Sequence, residues 1–103
     1  MTTTTLNFEQ FRALMMAAGC DEVLEREWAP GTAIDTHTHP FLVNALLIRG
    51  RMWLAESDGA ERLLQAGDTF SLAAEVPHRE RYCAEQGATY WVARKHAGSA
   101  AKA

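Results

Sequence analysis

The stretch GTAIDTHTHPFLVNALLIRG, residues 31–50, decides how this chain folds. Its first half carries His37 and His39 two positions apart, and its second half holds Leu42 to Ile48, an apolar run interrupted only by Asn44. Side chains alternate between the faces of a β-strand, so positions i and i+2 point the same way, and two imidazoles so spaced can reach one ion from one wall of a pocket. The apolar run suits a strand covered on both faces, through the middle of a barrel or along a dimer contact. A third histidine, His78, follows Pro77 eleven residues beyond Gly67, and on a neighbouring strand it would complete a facial set.

Outward from this stretch, the chain from Asp21 onward is cut into short segments by turn signals, the pattern of an all-β sandwich or barrel. Seven to eight strands are expected over Glu22–Trp28, Thr32–His37, Phe41–Arg49, Arg51–Glu56, Glu61–Gln65, Thr69–Leu72, His78–Cys83 and Thr89–Lys95. Pro30-Gly31, Ser57-Asp58-Gly59, Ala66-Gly67-Asp68, Val76-Pro77 and Gln86-Gly87 supply the turns between them. Before the strands, Phe8, Phe11, Leu14 and Met15 recur at helical spacing, which predicts one amphipathic helix over Phe8–Ala18 with Asn7 as N-cap and Gly19 as its stop. Met15 and Met16 read as core filler rather than a copper site. Residues 1–5 read as a frayed start and residues 97–103 as a mobile tail.

A chain of 103 residues with 48% apolar and 22% charged residues is expected to form one domain around a single core. A formal charge of −3 and scattered arginines provide no field for a phosphate backbone, so nucleic acid is not expected as a partner. The apolar runs are too short for a membrane span, and MTTTT lacks the regions of a signal peptide, so a cytoplasmic location is expected. Cys20 and Cys83 have neither CxxC nor zinc-finger spacing and read as free, buried thiols. Whether Cys83 lies in the pocket is not decided by its place in the sequence.

These residues resemble the cupin superfamily, whose motifs are G-x5-H-x-H-x3,4-E-x6-G and G-x5-P-x-G-x2-H-x3-N. Gly31, His37, His39 and Gly50 match the first motif. Gly67 and His78 match the second, with Ala73 and Glu75 in the proline and glycine places and Tyr82 replacing the asparagine. The resemblance covers about residues 22–95 and implies a small jelly-roll β-barrel, a double-stranded β-helix with its ligand pocket inside, preceded here by the helix. It places His37, His39 and His78 as metal ligands. The motif glutamate falls on Val43, or on Asn44 in the other register, and neither carries a carboxylate.

Three imidazoles still suit one divalent transition metal, iron, nickel, copper or zinc, and leave positions open for water, substrate or dioxygen. Some cupin enzymes, thiol and diketone dioxygenases among them, are similar in using only histidines. Without a carboxylate in the motif place, an anionic substrate can complete the coordination sphere without strong repulsion. On a strand, Glu80 shares a face with His78 and Tyr82 while Arg79 and Arg81 point away, so Glu80 reads as a replacement ligand, a general base, or a carboxylate held by an arginine at the barrel mouth. Asp35, on the face of His37 and His39, reads as a partner orienting an imidazole or as a solvated side chain. Phe41, Val43, Ala45 and Leu47 alternate toward the histidines, so an apolar pocket is expected, with Tyr82 or Tyr90 and one of the tryptophans at its wall. His96 lies outside both motifs and reads as a surface residue.

The resemblance thus implies a metal-binding cupin acting on a small organic molecule, as a three-histidine non-heme oxygenase or an isomerase, and a short barrel with a helix and apolar outer strands to cover is expected to form a homodimer. The alternative is a non-catalytic binding module resembling the effector-binding arm of bacterial sugar-responsive regulators. Fold alone does not choose between them.

Overall fold

A computed structural model of the chain describes residues 6–57 and 59–96. The start at 1–5, the tail at 97–103 and Asp58 of the expected turn lie outside the described residues. Helix α1 (Phe8–Ala17) is followed by strands β1 (Glu22–Trp28), β2 (Ala33–His37), β3 (Phe41–Glu56), β4 (Arg62–Gln65), β5 (Thr69–Leu72), β6 (His78–Tyr82) and β7 (Ala88–His96).

All strand pairs are antiparallel, and β3 organises them. Its first half, Phe41–Gly50, lies between β7 and β5, and β1 flanks β7. Its second half, Arg51–Glu56, lies between β4 and β6, and β2 flanks β6. Two four-stranded sheets therefore share one strand, the jelly-roll barrel expected from the sequence. The expected break at Gly50 is instead a bend within one continuous strand. Gly50 sits at φ +82°, and a Cβ there would lie 2.2 Å from the Gly87 carbonyl oxygen, so only glycine lets β3 pass from one sheet to the other beside the 87–88 backbone.

The helix caps as its sequence predicts. The Asn7 side chain accepts from the Gln10 backbone N–H at 2.8 Å while Gln10 Oε1 accepts from the Asn7 backbone N–H at 2.9 Å, a reciprocal capping box. At the other end Gly19, at φ +98°, turns the chain so that its N–H reaches the Met16 carbonyl at 3.0 Å.

Alternation along β3 feeds two apolar clusters. Val43, Ala45 and Leu47 point into the barrel with Met52, Leu54, Phe70, Tyr82 and Tyr90. Leu46 and Ile48 point outward toward Phe11, Trp91 and Ala93, under the helix. The apolar run is thus covered on both faces, by the opposite sheet inside and α1 outside. Leu14 departs from its expected place on the buried stripe and is 54% exposed, because the short helix seats Phe8, Phe11 and Met15 against the Trp91 cluster and leaves its neighbour at the rim. Met16 is likewise exposed rather than core filler. Cys20 and Cys83 are both buried free thiols. No helix among the described residues is long and apolar enough to cross a membrane.

Candidate metal centre

The three histidines meet. Ring centroids are 4.8 Å apart for His37 and His39, 4.3 Å for His37 and His78, and 4.9 Å for His39 and His78. One nitrogen from each lies within 4.8 Å of the others. They come from different elements: His37 ends β2, His39 lies in the connection to β3, and His78 opens β6, directly opposite His37 in the ladder.

Local backbone sets the imidazole tautomers. His37 Nδ1 stands 2.7 Å from the Asp35 carbonyl and His78 Nδ1 3.0 Å from the Val76 carbonyl. A carbonyl only accepts, so each Nδ1 carries the proton and donates it, which leaves each Nε2 in the neutral ring as a lone-pair donor to a cation. His78 is 1% exposed and its Nε2 is buried without a hydrogen-bond partner. Glu80 Oε2 lies 3.4 Å from this nitrogen and 3.5 Å from His37 Nε2. Lone pairs facing a carboxylate at that distance call for a positive charge between or beside them.

The electrostatics follow from this crowding. Burial opposes the charged form of His78, yet the Glu80 carboxylate beside its Nε2, the Val76 carbonyl that accepts from its Nδ1 and the charge of Glu56 hold its pKa above the ordinary imidazole value. Burial likewise works against the Glu80 carboxylate, but the adjacent His78 imidazole and the hydrogen bond from Tyr82 outweigh it and keep the pKa below the usual carboxylate value. His39 goes the other way: burial first, then His78 and His37, depress it, with a smaller push from Arg94. The Tyr82 hydroxyl donates to Glu80 Oε1, and burial keeps that phenol protonated.

For the neighbouring residues the structure selects among the expected alternatives. Asp35 is exposed, and it is its backbone carbonyl, not its carboxylate, that orients His37. The reason is a register shift between Ile34 and His37, which breaks the two-residue alternation and turns the Asp35 side chain outward. Glu80 lies inside the barrel at 8% exposure, held by histidines and Tyr82 rather than by an arginine at the mouth. Arg81, on the opposite face, instead binds Glu61 and covers Trp53 at 4.2 Å. His96 stays outside the trio, 3.3 Å from Glu22.

A cavity of about 90 Å³ opens beside the histidines. Phe41 and Val43 line it, as do Ile34, Phe70, Leu72 and Val92, so its walls are largely apolar. Trp28 and Tyr90 supply its aromatic wall. Ala45 and Tyr82 are not in that wall; Ala45 is packed into the core and Tyr82 lies behind Glu80, stacked on Trp28 at 5.1 Å. Cys83 is also outside it, with Arg51 Nη2 at 3.4 Å from its sulfur. Two of the lining residues that the sequence does not single out are charged, Arg26 and Arg94. The signal for them was the inward alternation Leu24-Arg26-Trp28 on β1 and Tyr90-Val92-Arg94 on β7, where an arginine stands in an otherwise apolar or aromatic stripe.

The donor set fits a transition metal. Three imidazoles and one carboxylate are borderline ligands that iron, nickel, copper and zinc accept. Nitrogens of a facial or tetrahedral set at about 2.1 Å from one ion would be about 3.0–3.4 Å apart, so donors spread within 4.8 Å of one another must draw together on binding.

No protein-family model matches the chain, and no curated relative matches it. Solved structures do match in fold. A cupin-like protein from Thermotoga maritima superposes with a TM-score of 0.67 at 19% identity, over 75% of this chain and 58% of its own. A cupin 2 conserved barrel domain protein from Salinispora arenicola gives 0.66 at 22% identity, over 78% and 66%. An oxalate oxidase gives 0.64 at 18% identity, over 72% and 41%. The chain therefore has the cupin fold, as the spacing of Gly31, His37, His39, Gly50, Gly67 and His78 implied. It spans a little over half of the Thermotoga protein and less than half of the oxidase, an enzyme on the same barrel.

Proposed function

We propose that this chain is a cytoplasmic metal-dependent cupin that transforms a small organic molecule in the cavity beside His37, His39 and His78. The observation that carries this reading is the Nε2 of His78, buried without a hydrogen-bond partner and facing the Glu80 carboxylate at 3.4 Å. A buried lone pair beside an anion is costly unless a cation satisfies both. A bound iron, nickel, copper or zinc ion would supply Lewis acidity and, for a redox metal, electrons for dioxygen chemistry. The chain's own groups hold the site: Asp35 and Val76 carbonyls fix two imidazoles, Tyr82 fixes Glu80, and Phe41, Val43 and Leu72 exclude water. Glu80 acts as the fourth ligand or, with Tyr82 as its proton partner, as the general base of an oxygenase or isomerase reaction. The kinship in fold to an oxalate oxidase supports an enzymatic reading without naming a substrate.

The test is elemental analysis of protein purified without an affinity tag, alongside His78→Ala. About one equivalent of a single transition metal, lost in the variant, is expected. Absence of metal from both, also after anaerobic reconstitution, overturns the reading and leaves the metal-free binding module, which the apolar Val43 at the cavity wall favours. Homodimerisation belongs to the same proposal; a monomer in sedimentation at micromolar concentration contradicts it.

A further inference from the structure

The cavity carries more positive charge than the metal ligands require. Arg26 on β1 and Arg94 on β7 both line it, from inward-facing positions on adjacent strands. Among the described residues Arg26 forms no ion pair; its guanidinium lies 4.9 Å over Trp28, itself a wall of the cavity. Arg94 lies 4.9 Å over Phe41, on whose ring His39 also stacks at 4.9 Å, so this guanidinium sits beside the imidazoles. Its Nη1 touches the half-exposed Glu22 at 3.4 Å, while its Nε is buried with no hydrogen-bond partner. The two cations act at different places: Arg94 adds to the depression of His39, whereas Arg26 works on Tyr90. In the ladder Arg94 is opposite Glu22 and Arg26 opposite Tyr90, so the two enter the cavity four residues apart along the β1–β7 pair.

Set against these two cations, Glu80 is the only carboxylate lining the cavity among the described residues, and it is engaged by two histidines and Tyr82. An inward arginine without a counter-ion, and a second with an orphaned buried N–H, are a fork waiting for an acceptor with planar, paired oxygens. We propose that the cavity selects a small carboxylate, held by Arg94 beside the imidazoles, and that Arg26, further along the β1–β7 pair, favours a short acid carrying a second anionic group. The volume, about 90 Å³, holds the equivalent of a few waters, which restricts the occupant to a handful of non-hydrogen atoms. This assignment rests on reading the cavity as the substrate site, and it holds whether or not a metal is the reagent there.

The experiment is calorimetric titration of malonate and succinate, with malonamide and succinamide as uncharged counterparts, into metal-free and zinc-loaded protein. The dianions are expected to bind and the diamides to bind at least about tenfold more weakly, since a charge-assisted hydrogen bond is worth about ten- to a hundredfold. Arg94→Gln and Arg26→Gln should each weaken the dianion by about that factor while leaving zinc affinity no weaker. Equal binding of dianions and diamides overturns the proposal, as does no binding of either to the unaltered chain. Undiminished dianion binding by the folded double variant also overturns it. Zinc affinity is read separately, so a chain that refuses zinc, and iron, nickel and copper in the same titration, yet discriminates charge through the arginines refutes the metal reading and supports this one. A chain that takes zinc without such discrimination does the reverse.

Discussion

Glu80 holds a carboxylate oxygen 3.4 Å from Nε2 of His78, its neighbour but one on β6, with the intervening Arg79 turned to solvent. Strict alternation over these five residues puts His78, Glu80 and Tyr82 in one buried row, and the row reads as base, acid and hydroxyl donor. The carboxylate absent at Val43 on β3 is thus present from a different strand. The site differs from the family motif in where its negative charge comes from, not in having one.

Replacing that charge tests its role. Glu80→Gln keeps shape and removes the anion, so affinity for zinc or iron should fall about ten- to a hundredfold, the usual effect of losing a ligand-supporting carboxylate. Glu80→Asp should fall between. Competition against a chromogenic chelator measures both, and unchanged affinity in Glu80→Gln would confine Glu80 to proton transfer.

The same pair makes the stability of the metal-free protein depend on pH in two directions. Glu80 has a folded pKa below its ordinary 4.5, so its contribution is present above that value and is lost as pH falls through the folded pKa. His78 has a folded pKa above its ordinary 6.5, so its contribution is complete below 6.5 and is lost as pH rises through the folded pKa. The advantage of the unaltered chain over Glu80→Gln should therefore peak between about pH 4.5 and 6.5 and shrink on either side. Urea midpoints of both proteins across pH 3.5–8, roughly the span over which both groups titrate, measure this; a flat difference would show that the two groups do not interact.

Much of this was legible from the chain because turn residues carry it. Pro30-Gly31, Ala66-Gly67-Asp68 and Val76-Pro77 bound strands within a residue or two of where the structure ends them, since their backbone requirements are local. The histidine set was legible because its spacing is fixed by the barrel. What was not legible depends on pairing rather than on local sequence. Gly50 reads as a break, yet a positive-φ glycine in an unbroken ladder bends a strand instead of ending it. The shift between Ile34 and His37 cannot be seen in a two-residue period, so the choice between an orienting and a solvated Asp35 side chain waits on the pairing. Arg26 and Arg94 look like solvent residues until the β1–β7 register shows which stripe turns inward.

Gly50→Ala should be among the most damaging single-methyl additions. The left-handed backbone alone costs an alanine about 1–2 kcal/mol, and the contact with the Gly87 carbonyl, 2.2 Å away, forces two strands apart. A loss above about 2 kcal/mol in urea unfolding is expected. A neutral effect would mean that the crossing of β3 between sheets tolerates a conventional backbone.

The helix can be weakened without touching the site. Phe11 is 5% exposed and packs on Trp91, ring centroids 5.7 Å apart, on the outer face of the sheet whose inner face lines the cavity. Phe11→Ala should cost about 3–5 kcal/mol and red-shift tryptophan emission as Trp91 meets water, while zinc affinity per folded molecule stays the same. A parallel loss of zinc affinity would show that the helix positions the site through the sheet.

Metal binding itself should appear as stability, because the donor set is assembled only in the folded chain. His37, His39 and His78 come from β2, a connection and β6, so unfolding scatters them and abolishes chelation. At a hundredfold excess over the dissociation constant the stabilisation is about 2.7 kcal/mol. For a domain of about 100 residues each kcal/mol moves the melting temperature by about 4–8 °C, so a rise of about 10–20 °C is expected. The rise should vanish with EDTA and in His78→Ala, which removes the one imidazole nitrogen among the described residues that the fold leaves buried and unpartnered. A rise that persists in His78→Ala would locate the stabilising ion elsewhere on the protein, and a scan of the remaining histidine, His96 beside Glu22, would then find it.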